Sequence, residues 1–151
     1  MVLNSFVQSD MEYIATSPQE MMLFWEHLAK EKSINKLLIY WSLGAWKTHL
    51  VKGFARGLGI PSDEVISPTY VYLNIYKNIL AHMDFYRFHE MDLMPDEIRE
   101  QLLQKWLLDA VESFPFVAIE WPILEDLYAD QTRKKVKIEK IGETKRKITI
   151  K

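Results

Sequence analysis

The sequence contains no cysteine. Disulfide staples, thiolate nucleophiles and cysteine-based zinc sites are therefore excluded together. The absence suits a reducing cytoplasm, which is the expected location. No apolar run reaches the roughly 18–20 residues of a membrane-spanning helix, so no membrane association is expected. The first residues lack a basic stretch followed by an apolar one, so no secretory signal is expected. Charge of one sign is also missing: 19 Lys and Arg stand against 21 Asp and Glu, a formal net charge of −2. The chain as a whole offers no strong field for nucleic acid. Neither an internal repeat nor a low-complexity linker interrupts it.

What is present is a globular pattern. Apolar residues make up 48% of the 151 positions and fall in short separated runs. A chain of this length suits one domain, 1–151, and buries roughly 68–70% of its unfolded surface. Residues 1–12 carry no clear signal beyond a possible first strand. Ser17-Pro18-Gln19-Glu20 opens a helix: Ser17 caps, Pro18 fits the first helical position and Glu20 completes a capping box. Met21, Phe24, Trp25 and Leu28 then keep helical spacing to about Lys30. Leu37–Tyr40 is continuously apolar, the signature of a buried strand. A loop, Trp41–Trp46, leads into a helix over Lys47–Leu58, with Gly57 and Gly59 flanking its end.

Val71–Tyr76 alternates as a strand. Lys77-Asn78 is a tight turn, and Ile79–Phe85 returns. Asp92–Glu112 is helical, with Ile98, Leu102, Leu103, Trp106 and Ala110 on one side. Phe116–Ile119 is a second buried strand. Val136–Ile138 and Ile148–Ile150 form a terminal hairpin around Gly142. Lys and Arg crowd residues 133–151, Arg146 among them, and read as the solvated face of that hairpin, with a surface for an acidic partner or an RNA backbone as the alternative. These elements make an α/β domain on a mixed sheet flanked by helices. Its ligand site is expected at the carboxyl ends of the parallel strands.

The strand, loop and helix at 37–58 frame Gly44-Ala45-Trp46-Lys47-Thr48. A phosphate loop reads G-x-x-x-x-G-K-[ST] between a strand and a helix. Here Lys47 and Thr48 fill the last two slots, while Trp41 and Trp46 stand in both glycine slots. The pattern has a physical basis. Consecutive backbone N–H groups wrap the phosphates, and glycine supplies the curl without a Cβ in the way.

Further blocks follow in order: Ser67-Pro68-Thr69-Tyr70, His82-Met83-Asp84-Phe85-Tyr86-Arg87 and Glu120-Trp121-Pro122. With Gly44-Ala45, Lys47-Thr48 and Ala55–Ile60, these resemble the TsaE family across residues 15 to 150. That family is the ATPase component of the bacterial machinery making threonylcarbamoyladenosine on tRNA. The resemblance implies a P-loop NTPase-like fold, ATP and magnesium as cofactors, and a TsaB–TsaD protein pair as partner. Transfer RNA would be met only through that complex. It implies that Gly44, Ala45, Lys47, Thr48 and Trp121 bind nucleotide. Thr48 and Glu120 would hold magnesium, and Asp84 and Glu120 would be the catalytic acids. Ser67–Thr69 would form a switch-like segment.

His82 reads as a hydrogen-bonded packing residue and Arg87 as a structural ion-pair partner. His49 stands where the family commonly has threonine and is assigned no role. Trp41, Ser42 and Trp46 depart from the family pattern too. An indole at 46, directly before Lys47, is expected to compete with phosphate more than one at 41. Two readings therefore stand at this point. One is an ATP-hydrolysing enzyme. The other is a binding module of the same lineage whose nucleotide site is closed. A small-molecule kinase is disfavoured, because no arginine-rich lid segment is evident.

Overall fold

The computed structural model describes residues 10–42, 44–68, 73–86, 96–122 and 133–151, with the backbone alone at 96–100, 102, 103 and 106. Seven strands build one sheet in the order β1-β7-β6-β2-β5-β4-β3. They are β1 Met11–Ala15, β2 Lys36–Trp41, β3 Leu73–Tyr76, β4 Leu80–Asp84, β5 Phe116–Glu120, β6 Arg133–Gly142 and β7 Lys145–Ile150. The middle four, β6, β2, β5 and β4, run parallel. Antiparallel pairs close both sides. The apolar run at Leu37–Tyr40 is thus a central strand, as its composition predicts. The α/β mixed sheet of the sequence reading holds.

The helices are α1 Pro18–Lys30, α2 Lys47–Gly57 and α3 Asp96–Ser113. The sheet separates two apolar clusters. Leu37, Ile39, Ala118, Val136, Ile138, Ile148 and Ile150 pack with α1 and α2. Leu38, Ala81, Met83, Val117 and Ile119 pack with Leu107 and Ala110 of α3. Odd and even positions of β2 divide cleanly between them, as a strand buried on both faces requires.

Local chemistry explains the boundaries. The Ser17 Oγ accepts the Glu20 N–H at 3.1 Å, and Glu20 Oε2 accepts the Thr16 N–H at 2.7 Å. The second contact reaches one residue further back than a standard capping box. Lys77 and Asn78 both take positive φ, 50° and 55°, the two-residue geometry that suits the twist of β3 and β4. In α2 the register with α1 depends on glycine. A Cβ at Gly53 would meet the Met22 carbonyl oxygen at 2.1 Å, and one at Gly57 would meet the Glu26 oxygen at 2.5 Å. Glu26 then accepts from the Arg56 Nε at 2.7 Å across the same interface. Gly53→Ala is therefore expected to cost about 1–3 kcal/mol, an overpacking penalty against backbone that cannot yield. Urea unfolding of the single variant checks this.

Several readings shift. β1 starts at Met11 and runs past the stretch of weak signal, because it pairs with β7 from Met11↔Ile150 to Ala15↔Arg146. The hairpin strands are longer than their apolar cores, since backbone pairing extends through flanking Lys and Glu residues. The third helix is described from Asp96. Residues 92–95 and the side chains of Ile98, Leu102, Leu103 and Trp106 lie outside the described residues, as do Leu43, Thr69, Tyr70, Val71, Tyr72 and Arg87.

Candidate active site at the carboxyl ends of the parallel strands

β4 and β5 end side by side. Asp84 is registered with Glu120, and Glu120 in turn with Ile39 of β2. Registered residues share a face of the sheet, so both carboxylates stand on the side covered by α2. Each is only 1% exposed. The first residue of α2 meets them. The Lys47 Nζ lies 3.4 Å from Glu120 Oε1 and 3.8 Å from Asp84 Oδ2. Three residues widely separated in sequence thus converge at one point. Thr48 follows Lys47 in the first turn of α2.

The carboxylates are tuned from behind. His82 Nε2 lies 3.1 Å from Glu120 Oε2, with both side chains buried. Burial pushes the Glu120 carboxyl up. The His82 hydrogen bond and charge, joined by Lys47, outweigh burial and hold it below the usual carboxylate range. Asp84 is fixed locally: its Oδ1 accepts the Tyr86 N–H at 2.8 Å. The reading of His82 as a hydrogen-bonded packing residue fits this buried contact, and its partner is a carboxylate of the site. The H-x-D spacing places His82 on the face of Asp84, because residues two apart on a strand share a face, but it does not name Glu120.

The phosphate-loop positions have definite geometry. Trp46 has φ 63° and ψ 30°, a left-handed conformation that glycine adopts without strain. It caps α2 without a side-chain hydrogen bond, and its carbonyl accepts the His49 N–H at 3.1 Å. Gly44 also has positive φ, 75°. Trp41 is different. It is the last residue of β2, registered with Ile138, and extended.

The two indoles meet different cations. The Trp41 ring lies 4.1 Å from the Lys47 Nζ and packs against Trp121 and Tyr86 at 5.6 and 5.7 Å. The Trp46 ring lies under the Arg146 guanidinium instead. The expectation that Trp46 crowds Lys47 more than Trp41 is thus reversed. The turn at Trp46 carries its side chain away from the lysine, while the strand end carries Trp41 toward it.

Trp121 also takes positive φ, 51°, immediately after Glu120. Its N–H donates to the Ile39 carbonyl at 2.9 Å. That turn sets its ring between Tyr40, Trp41 and Tyr86. Beside them a cavity of about 430 Å³ is lined by Tyr40, Trp41, Ser42, Trp121, Lys137, Ile138 and Glu139. Ser67 and Pro68 follow Ile66, whose carbonyl is held by Tyr76 Oη at 3.0 Å. Arg146 is buried, not part of a solvated face as its basic neighbours suggested.

The chain matches the family model described as "Threonylcarbamoyl adenosine biosynthesis protein TsaE" over residues 15–148. It belongs to the TsaE family. Among relatives named tRNA threonylcarbamoyladenosine biosynthesis protein TsaE, the one from Synechocystis is 33% identical over 124 residues, covering 76% of this chain and 72% of its own. The Bacillus subtilis relative is 34% identical over 110 residues, 71% of this chain and 63% of its own. The crystal structure of Bacillus subtilis YdiB superposes with a TM-score of 0.58 at 24% identity, covering 94% of this chain and 84% of that one. That likeness supports the P-loop-like fold. Among the described residues no helix is long and apolar enough to cross a membrane.

Proposed function

We propose that this TsaE-family chain, with a role in tRNA threonylcarbamoyladenosine biosynthesis, binds magnesium-ATP at the loop between β2 and α2. In this reading it hydrolyses ATP beside a TsaB–TsaD-type pair, and hydrolysis drives the cycle of that assembly. The observation that carries the reading is Lys47 held at 3.4 Å from Glu120 and 3.8 Å from Asp84 at the strand ends. A lysine opening a helix that no side chain caps is suited to outer phosphates. The two carboxylates hold it until phosphate competes for it.

The donor set suits the cofactors. Magnesium is commonly held by one or two protein oxygens plus substrate phosphates, not by a closed protein cage. Among the described residues no three His, Asp or Glu side chains form such a cage. The Thr48 hydroxyl and the Glu120 carboxylate would hold the ion, which would neutralise charge developing on the phosphates. Glu120, kept ionised by His82 and Lys47, would orient the attacking water. Asp84 would keep Lys47 in register, and Gly44, Ala45 and Trp121 would line the nucleotide.

One observation favours a second reading. The Trp41 ring stands 4.1 Å from the Lys47 ammonium, where it would compete with phosphate for that charge. On that reading the chain keeps the fold and the partner surface while its nucleotide site is shut. One set of assays separates the two. The purified chain is mixed with a TsaB–TsaD pair, and complex formation and ATP-dependent phosphate release are both measured. The enzyme reading expects a complex at micromolar concentrations and phosphate release that Glu120→Gln abolishes. A complex without turnover selects the closed module. No complex, with or without nucleotide, overturns the partner assignment in both.

A further inference from the structure

Arg146 lies in a run of lysines, yet it is only 4% exposed. Backbone oxygens explain how the charge stays inside. Its Nε donates to the Gly44 carbonyl at 2.8 Å. One terminal nitrogen donates to the carbonyls of Gly142 and Lys145 at 3.0 Å each, and reaches that of Glu143 at 3.4 Å. The guanidinium lies 4.0 Å from the centre of the Trp46 ring. One planar fork thus joins the turn between β6 and β7 to a loop 102 residues away in sequence.

Its anchor point is informative. Gly44 sits where the loop turns left-handed, two residues before Trp46 does the same. A peptide unit is planar and trans, so the N–H of Ala45 points opposite to the carbonyl of Gly44. Fixing that carbonyl toward the hairpin fixes the Ala45 N–H away from it. Ala45 itself is 2% exposed and packs into the core beneath α2, so the segment has little freedom to find another path.

We propose that Arg146 is a positioning residue for the phosphate loop. By holding the Gly44 carbonyl it aims the Ala45 N–H into the anion cradle in front of Lys47. This rests on the magnesium-ATP reading of that loop. Arg146 touches no phosphate and acts through the backbone. Lysine replaces it poorly, since an ammonium on a flexible stem lacks the rigid fork that spans the two segments.

Two variants, Arg146→Lys and Arg146→Met, test the proposal with two readouts. The first is amide hydrogen exchange of the intact chain. Peptides covering 42–48 and 142–145 are expected to exchange at least about tenfold faster in both variants, the mark of a local opening. Peptides from β2 and from the middle of α2 keep their protection, which shows that the fold survives. Unchanged exchange in the loop peptide overturns the proposal, whatever the nucleotide data say.

The second readout uses inorganic triphosphate with magnesium as the probe, in a Trp41→Gly background that clears the approach to Lys47. Arg146→Met is expected to weaken binding by about tenfold or more, and Arg146→Lys to recover only part of that loss. Equal affinity in the presence and absence of Arg146 overturns the positioning role while leaving the ATP reading intact. If the Trp41→Gly chain binds no triphosphate at all, the ATP reading falls, and the phosphate role of Arg146 falls with it.

Discussion

Replacing Trp41 by glycine is expected to strengthen magnesium-ATP binding at least about tenfold, some 1.4 kcal/mol. The gain comes from volume. Trp41 is extended at the end of β2, so glycine relieves no backbone strain there. What glycine removes is the ring standing 4.1 Å from the Lys47 Nζ. That ring competes with phosphate for the lysine both as a cation–π partner and as bulk, and the attraction alone is worth roughly 0.5–2 kcal/mol. Its indole nitrogen is buried and has no acceptor among the described residues. Among the described residues the ring is held by packing with Trp121 and Tyr86.

Trp46→Gly has a different effect. The left-handed backbone at Trp46 costs a non-glycine residue roughly 1–2 kcal/mol. Free and nucleotide-bound chains both carry that cost, so it largely cancels from affinity. It does not cancel from stability, where the lost stacking on Arg146 opposes the relief. The single Trp41 variant should thus gain more affinity than the single Trp46 variant, and the double variant at least as much as Trp41→Gly. Calorimetric titration of the four chains decides it. A parent chain that already binds at low micromolar levels, with no gain from Trp41→Gly, would show that the ring swings aside on binding.

The two tryptophans also mark how far the sequence could be read. The register of the loop was legible, because Lys47-Thr48 sits between an apolar strand and an amphipathic helix. The central place of β2 followed from its unbroken apolar run. The direction of each indole was not legible. It depends on whether the backbone is extended or left-handed at that residue, and a glycine slot occupied by tryptophan carries no local sign of which.

Arg146 shows the opposite case. Its signal was present, since it shares strand parity with Ile148 and Ile150, which are buried. The density of lysines around it hid an alternation that period-2 counting exposes. The clustering of Asp84 with Glu120 needed strand register, which pairs residues 36 apart in sequence and is set by the sheet as a whole. The family blocks located both acids. Only the structure supplied His82 as the partner of Glu120.

Lys47→Met is expected to abolish nucleotide binding and to destabilise the chain even without ligand, by about 2 kcal/mol or more. The reason lies in the charges left behind. Glu120 and Asp84 are each 1% exposed, at neighbouring strand ends. Lys47 is their shared cation, at 3.4 and 3.8 Å. Removing one partner of a fully buried pair costs roughly 3–5 kcal/mol, because the other charge stays behind without water. Here the loss should be smaller, since the Lys47 side chain keeps 20% exposure. His82, 3.1 Å from the far oxygen of Glu120, also still holds that carboxylate.

Adding Glu120→Gln to Lys47→Met removes one of the two stranded charges, and the amide still offers an oxygen to His82. The double variant should therefore regain part of the stability lost by Lys47→Met. A substitution at an unrelated buried site would simply add its own loss. Urea unfolding of parent, both single variants and the double variant forms a complete cycle. Additive losses would mean that Lys47 and Glu120 are not coupled in the free chain. Lys47 would then be no resting counter-ion for Glu120, and its placement beside that carboxylate would say nothing about a phosphate site.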